Sequence, residues 1–488
     1  MIVSIQEIGG GLAAGQVELS WMMTSYLIGE IIVIPLSAWL ARVMSTGGLI
    51  TVSAAGLTVA SILCSMAWDI RSMIVFRAIQ GFFAGSMIPV AQTAAVTLFQ
   101  GKRSTGLAVS IVAAIAGLAP TLGPLLGGWI ADGFSWRWLF YINVVFGTLI
   151  MVSASLFVRI DKPNLTLLKG ADYLGMVLMA ISLGCLNYVL EEGYRWDWFS
   201  DDRIRMGTLI SALSGIGFVI RTLSYAQPIV DLRAFTNRNF SLGCLFSFVT
   251  GVGIFCLTCL TVLFLGRVRG FIAWQNGNTI LWAGLFQVSA IPIYIVLSKH
   301  LDLRWLLMFG LGCFGISMWL FTPITNQWQW QEMLTPLAFR GVAVTFALAS
   351  TTTLALGGLA PDRVPSASGL FALMRCLGGA IGIAACGILL NDRTNLHFLR
   401  IAEHLTSANN ELINRLHGMT ARYAQSMGDS VSGQAAALKN LWLLAYREAQ
   451  VQAFADAYLA IAVCFALSVM MVPFMHKVSP FRVRLPMR

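Results

Sequence analysis

Four ionisable residues lie inside long apolar stretches, where charge is costly. Glu30 sits in "WMMTSYLIGEIIVIPLSAWLAR" (21–42) and Arg77 in "IVFRAIQGFFAGSMIPV" (74–90). Arg340 sits in "PLAFRGVAVTF" and Arg375 in "FALMRCLGG". At bilayer depth such a side chain is rare unless it has a partner or a task. Trp21 marks a membrane interface. Glu30, nine residues on, lies about 13 Å deeper, near the middle of the core. A carboxylate there is poised between burial, which disfavours its charge, and any nearby guanidinium, which favours it. One reading makes Glu30 a proton carrier, loaded from one side and emptied to the other. A second makes it the static partner of Arg77, at a similar depth. Arg340 and Arg375 either fasten neighbouring helices by hydrogen bonds or supply a field that repels cations, attracts anionic substrates or controls the proton on Glu30. Glu191 and Glu192 end a span and are expected at the outer interface.

These assignments require a membrane. The 488 residues are 57% hydrophobic and only 11% charged, with a mean hydropathy of +0.76. A soluble chain carries about 25% charged residues, so a single water-soluble globule is excluded. The expected class is an all-α polytopic membrane protein. Stretches long enough to cross a ~30 Å core lie at 20–41, 47–68, 72–97, 105–130, 138–158, 173–192, 205–223, 240–266, 276–298, 303–322, 333–359, 366–390 and 453–475, thirteen in all. The net charge of +10 fits basic cytoplasmic loops better than nucleic acid, which is not expected as a partner. Lys102 and Arg103, then Arg159, Lys162 and Lys169, then Lys299 and Arg304, then Arg363 and the tail from Lys477 to Arg488 all fall on one side. That side is read as cytoplasmic, with the C-terminus inside.

Cys256 and Cys259 form a CxxC inside an apolar run and read as small span residues, not a metal or redox pair. No basic leader precedes Arg42. Residues 1–19 look like the end of a preceding span and its loop, and a further span upstream is expected. Residues 391–452 are expected to form amphipathic helices on the outer face, either as a solvated cap or as a docking surface. Residues 98–128 and 356–387 share a short basic loop, a Gly-Leu start and a Gly-rich span, as two homologous halves would.

Three stretches are more specific. Arg77 is followed by Gln80 and Gly81. "APTLGPLLGGWIAD" (119–132) contains Gly123, Pro124, Gly127 and Gly128, which give a helix with a smooth small face and a weak point. "WRWLFYINVVFG" (136–147) places aromatics at an interface. Together these resemble the major facilitator superfamily, in particular its fourteen-span drug:proton antiporter branch of the EmrB/QacA type. "SGLFALMRCLGGAIGIA" (368–384) and "PIVDLRAFTNRNFSLG" (228–243) resemble further segments of that branch. The resemblance implies two pseudo-symmetric six-span bundles with two extra linking spans: 1–158 with its first span truncated, 159–224 as the linking pair, and 225–488 as the second bundle with the loop 391–452. It also implies an antiporter hinge at Gly123, Pro124, Gly127 and Gly128. Departures are present. "SAWLARVMSTGGL" keeps only Arg42 of the superfamily's usual acidic and basic signature, and Val145 stands where Pro is usual.

The expected function is proton-coupled export of an amphipathic small molecule by alternating access, in an inner (plasma) membrane. No cofactor is expected. A periplasmic adaptor and an outer-membrane channel are possible partners implied by the resemblance. An ATP-driven pump is disfavoured because Val96 stands where a phosphate loop before Gly101 and Lys102 needs Gly. No HExxH or GxSxG supports an enzyme. A sensor derived from a transporter, or an exporter of one metabolite, remains open. Gln92, Gln287, Phe248 and Trp282 are further possible cavity liners.

Overall fold

The computed structural model describes residues 5–99, 105–225, 228–359, 363–405 and 410–477. Among them there are helices and no strands. In chain order they are α1 (Ile5–Leu12), α2 (Gln16–Met44), α3 (Thr46–Ser65), α4 (Ile70–Gly85), α5 (Met87–Leu98), α6 (Thr105–Ala116), α7 (Ala119–Gly133), α8 (Trp138–Phe157), α9 (Tyr173–Glu192), α10 (Asp202–Ser224), α11 (Arg238–Arg267), α12 (Ala273–His300), α13 (Leu303–Leu320), α14 (Trp330–Leu356), α15 (Val364–Glu403), α16 (Asn410–Met427) and α17 (Ser430–Met471). Twelve segments are long and apolar enough to cross a membrane, with α4 and α5 forming one of them.

All thirteen expected spans fall on helices, but 105–130 is not one continuous span. It divides into α6 and α7 at Gly117 and Leu118. Pro120 in the first turn of α7 has no N–H to continue the ladder from α6. The break lies against the other half of the molecule. A side chain at Gly117 would come within 2.8 Å of Val344 and Leu348 on α14 and 2.9 Å of Gln287 on α12.

Close packing in lipid depends on small residues that let backbones touch. α2 and α4 meet in this way. A methyl group at Gly29 would strike the carbonyl of Ala78, and one at Gly81 the carbonyl of Tyr26. At Gly85 it would lie 2.5 Å from the carbonyl oxygen of Glu30. α11 and α15 interlock likewise, Gly251 against the Arg375 carbonyl and Gly378 against the Phe248 carbonyl. The pairs α2–α4 and α3–α8 in the first half have counterparts in α12–α14 and α13–α17. Ser182 and Ser211 exchange hydrogen bonds with each other's carbonyls at 3.0 and 2.9 Å, clasping α9 to α10, and α9 also lies along α2. The halves are joined by hydroxyl pairs, Thr93 to Ser368 at 3.0 Å and Ser110 to Thr353 at 2.9 Å.

Among the described residues the loops after α2, α8, α10 and α12 and the start of the tail lie together at one end, while Lys102, Arg103 and the tail beyond Lys477 lie outside the described residues. The Thr46 amide donates to Asp161 at 2.8 Å, and Asn239 and His476 bond one another at 3.0 and 2.8 Å. Asp302 caps α13. Arg304 forks onto Asp302 at 2.9 and 3.3 Å and donates to the Met475 carbonyl at 3.2 Å. Partial burial works to raise the Asp302 carboxyl, but the Arg304 hydrogen bonds and the Lys477 charge hold it below the usual carboxylate range.

At the opposite end two helices outrun the bilayer. α15 has 40 residues and α17 has 42, about 60 Å each against a ~30 Å core. The spans read at 366–390 and 453–475 are therefore the membrane parts of longer rods. Between them α16 packs on α17 and buries no residue fully. His397 bonds Asp456 at 2.9 Å, and Trp442 stacks on Tyr446 with centroids 5.0 Å apart. This is the amphipathic helical region expected over 391–452.

Two outcomes test this packing. Gly81→Leu and Gly378→Leu, which drive a side chain into a facing carbonyl, should destabilise the protein by about 1–3 kcal/mol and lower its melting temperature in detergent. Gly123→Ala, whose added carbon meets nothing within 4 Å, should leave it unchanged. A depressed carboxyl contributes stability above its unfolded value and loses it as pH falls through the folded one. The melting temperatures of wild type and Asp302→Asn should therefore differ near neutrality and converge below about pH 4.

Candidate functional site

Glu30 lies on α2 beside the stripe that touches α4. Its backbone is held against Gly85, and its side chain turns into an internal cavity between α2, α9, α11 and α15. The walls include Leu27, Glu30, Asn187, Glu191, Phe255 and Cys376. The cavity measures about 90 Å³. That is room for a few waters, against the ~300–1,000 Å³ of a drug-sized pocket. Arg375 on α15 and, after it, Arg77 on α4 are the guanidinium groups whose charge reaches Glu30.

Arg77 does not form an ion pair with Glu30, so the static-partner reading is not what the geometry shows. Its guanidinium donates to the Gln80 side-chain oxygen at 2.5 Å and to the Met22 carbonyl at 3.4 Å. It also lies over the Tyr26 ring, 4.2 Å from the centroid. Gln80, one turn on along the same face, passes the connection to Ser61 on α3 at 2.7 Å. Arg77 and Gln80 thus tie three helices together beneath the cavity.

The other two buried cations are less fully served. Arg340 has no exposed surface and donates to Thr258 on α11. Its Nε and other terminal nitrogen have no hydrogen-bond partner among the described residues. Arg375 is also buried, and one terminal nitrogen is likewise without a partner. Gln92 is fully buried with both amide atoms unpartnered. Gln287 donates to the Ala114 carbonyl at 3.2 Å across the junction of the halves. Trp282 stacks on Trp330 at 6.0 Å, away from Glu30.

Of the glycine motif, Gly127 and Gly128 are buried in α7, which packs on α12. Gly123 is exposed, with nothing near it. It is not part of a close helix contact. The side chain of Pro124 lies outside the described residues.

The main correction concerns α9. Glu191, at the end of its span, turns inward and lines the same cavity as Glu30. Glu192 is buried too, at 1% exposure. It accepts from Ser20 at 2.8 Å and approaches Arg195 at 3.6 Å. Asn187, one turn before Glu191, is 2% exposed, and its amide nitrogen is unpartnered. Helical spacing put Asn187 and Glu191 on one face. No sequence signal said that this face meets α2 and not lipid. Chemically, the arrangement can hold and release a proton beside a few waters, with guanidinium groups close enough to bias it.

Comparison with known proteins agrees with this architecture. Residues 1–383 match the Major Facilitator Superfamily. The chain is 34% identical over 475 residues to the colistin resistance protein EmrB of Acinetobacter baumannii, covering 97% of this chain and 92% of that one. It is 30% identical over 408 residues to the multidrug export protein EmrB of Haemophilus influenzae, covering 83% and 80%. It is 31% identical over 416 residues to the fatty acid resistance protein FarB of Neisseria gonorrhoeae, covering 83% and 79%. In fold it is similar to the proton:xylose symporter XylE, with a TM-score of 0.58 at 12% identity, covering 98% of this chain and 92% of that one. The human organic anion transporter MFSD10 gives 0.54 at 11%, covering 96% and 88%. With its membrane-spanning helices and these relatives over nearly its whole length, the chain belongs to the Major Facilitator Superfamily and is a multi-pass membrane transporter of the EmrB/QacA branch.

Proposed function

We propose that this transporter exports amphipathic small molecules in exchange for protons, from an inner (plasma) membrane with its C-terminus in the cytoplasm. The observation that carries the coupling is Glu30, a carboxylate at mid-depth that opens into a water-sized cavity and forms no ion pair. The relatives, named for colistin resistance, multidrug export and fatty acid resistance, support export of varied amphipathic cargo. The basic loops gathered at one end support the orientation.

The cavity is too small for such cargo, so export requires the halves to part. We take 1–158 and 225–488 as the rocking units and 159–224 as the pair of helices beside them. The break at Gly117, set against α12 and α14, is the hinge. The rods of α15 and α17 with α16 project on the outer side and offer a surface for a periplasmic adaptor leading to an outer-membrane channel.

In liposomes with an imposed pH gradient, followed with tetraphenylphosphonium and palmitate, Glu30→Gln should cut gradient-driven transport by about 100-fold or more. Exchange of cargo without a gradient should survive. Unchanged gradient-driven transport would remove Glu30 from the coupling step. The buried cations should separate in a second measurement. Arg340→Leu removes a guanidinium with one bond and two unpartnered nitrogens, so it should keep or raise the melting temperature while transport is lost. Arg77→Leu leaves the Gln80 oxygen with only the long Cys64 thiol contact, loses the bond to the Met22 carbonyl and should cost about 1–3 kcal/mol of stability. A large loss of stability in Arg340→Leu would make Arg340 a structural fastener.

A further inference from the structure

We infer that α9 supplies the route by which protons reach Glu30: Glu191 collects the proton, and cavity waters held by Asn187 pass it on. The inference rests on the coupling role proposed for Glu30.

Depth can be read from contacts between α2 and α9, which run in opposite directions. Ser20 bonds Glu192, and Trp21 stacks on Tyr188 with centroids 5.3 Å apart. The end of α9 is therefore level with the start of α2. Glu30 is ten residues beyond Ser20, about 15 Å deeper. Asn187 is five residues before Glu192, about 7 Å deeper, and so lies between the two carboxylates. All three side chains line one cavity. Its volume of about 90 Å³ suits waters and not cargo.

Asn187 is the second observation. It is 2% exposed, lines the cavity, and its amide nitrogen has no partner among the described residues. A buried donor left so costs free energy that a bridging water would recover. Neither Glu191 nor Glu30 is tied up in an ion pair, whereas Glu192 beside them is engaged by Ser20 and Arg195. Glu191 faces Glu192 on its own helix, Tyr194 in the turn that follows, and Cys259 on α11. Glu30 faces Tyr26 on α2, Arg77 on α4, and Arg375 and Cys376 on α15. In the transfer, Glu191 takes a proton from bulk water at the outer face. It gives that proton to a cavity water, which releases one of its own toward Glu30. Glu191 is left as a carboxylate ready for the next.

The test needs no cargo. In purified full-length protein, the infrared C=O stretch of a protonated carboxyl that disappears in Glu30→Gln identifies Glu30. Its rate of exchange after dilution into D₂O reports proton access. Glu191→Gln and Asn187→Leu should slow that exchange at least ~10-fold while the band itself stays, and Glu191→Asp should restore it. Exchange as fast in Glu191→Gln as in wild type would overturn the route and leave Glu30 untouched. If Glu30→Gln removes no band anywhere between about pH 5 and 9, the Glu30 reading falls and the route falls with it. A Glu191→Gln protein that loses the band through misfolding would be recognised by its melting curve. In that case Asn187→Leu alone decides, since slowed exchange supports the route and unchanged exchange sinks it.

Discussion

The backbone contact between α2 and α4 is the constraint on which the site depends. Gly29, Gly81 and Gly85 let the two backbones approach carbonyl to Cα at three points along that interface. Gly85 presses on the backbone of Glu30 itself, and the Glu30 side chain lines the cavity that α9, α11 and α15 complete. In lipid no hydrophobic force holds two helices together, and close packing with small residues replaces it. A packing device thus fixes the backbone that carries an ionisable group. The α11–α15 contact through Gly251 and Gly378 does the same for the opposite wall, placing Cys376 and Gly379 against the cavity.

The two halves treat buried charge unequally. In the first, Arg77 is matched by a carbonyl, an amide oxygen and an aromatic face, which is the arrangement of a fastener. In the second, Arg340 and Arg375 keep nitrogens without partners. An unserved buried guanidinium is expensive in a fixed structure. Its cost is more readily understood in a protein that has another conformation, in which water or an anionic group reaches those nitrogens. The site with Glu30 lies between these two regimes, close to one satisfied and one partly satisfied cation.

Much of this was legible in the sequence. Composition and span length gave the membrane class, and loop charge gave the clustering of basic loops at one end. Depth counting from Trp21 sets Glu30 about 13 Å along α2, because a rise of 1.5 Å per residue along a helix needs no tertiary information. The pairing of Arg77 with Gln80 was half visible, since an i, i+3 spacing puts both on one face. The role of α9 was not legible. Glu191 and Glu192 end an apolar run, and a terminal carboxylate normally reaches water. Only the packing of α9 along α2 turns one inward to the cavity and the other onto Ser20. The break between α6 and α7 was hinted at by Gly117 and Pro120, yet a Gly-rich apolar run also reads as one continuous span. Gly123 shows the converse error, since small residues mark a possible close contact and not an actual one.

The position of α9 gives the linking pair a function beyond connection. A helix that merely joined two bundles would need only an apolar surface, and placing Asn187, Glu191 and Glu192 on it would cost stability without return. Instead Glu192 is fixed to Ser20 and Arg195 at the rim, which anchors the end of α9 to the start of α2. Anchored there, the helix holds Asn187 and Glu191 against the cavity while its middle is clasped to α10 by the Ser182–Ser211 exchange. The same cavity is closed on its far side by α11 and α15 of the second half. In the rocking motion proposed above, α15 and α11 slide relative to α2, so that their wall of the cavity changes while the α2–α9 wall does not. On the proposed coupling role of Glu30, a carboxylate on the α2–α9 wall, bordered by a wall from the second half, would have its access to protons tied to the conformation of the whole protein.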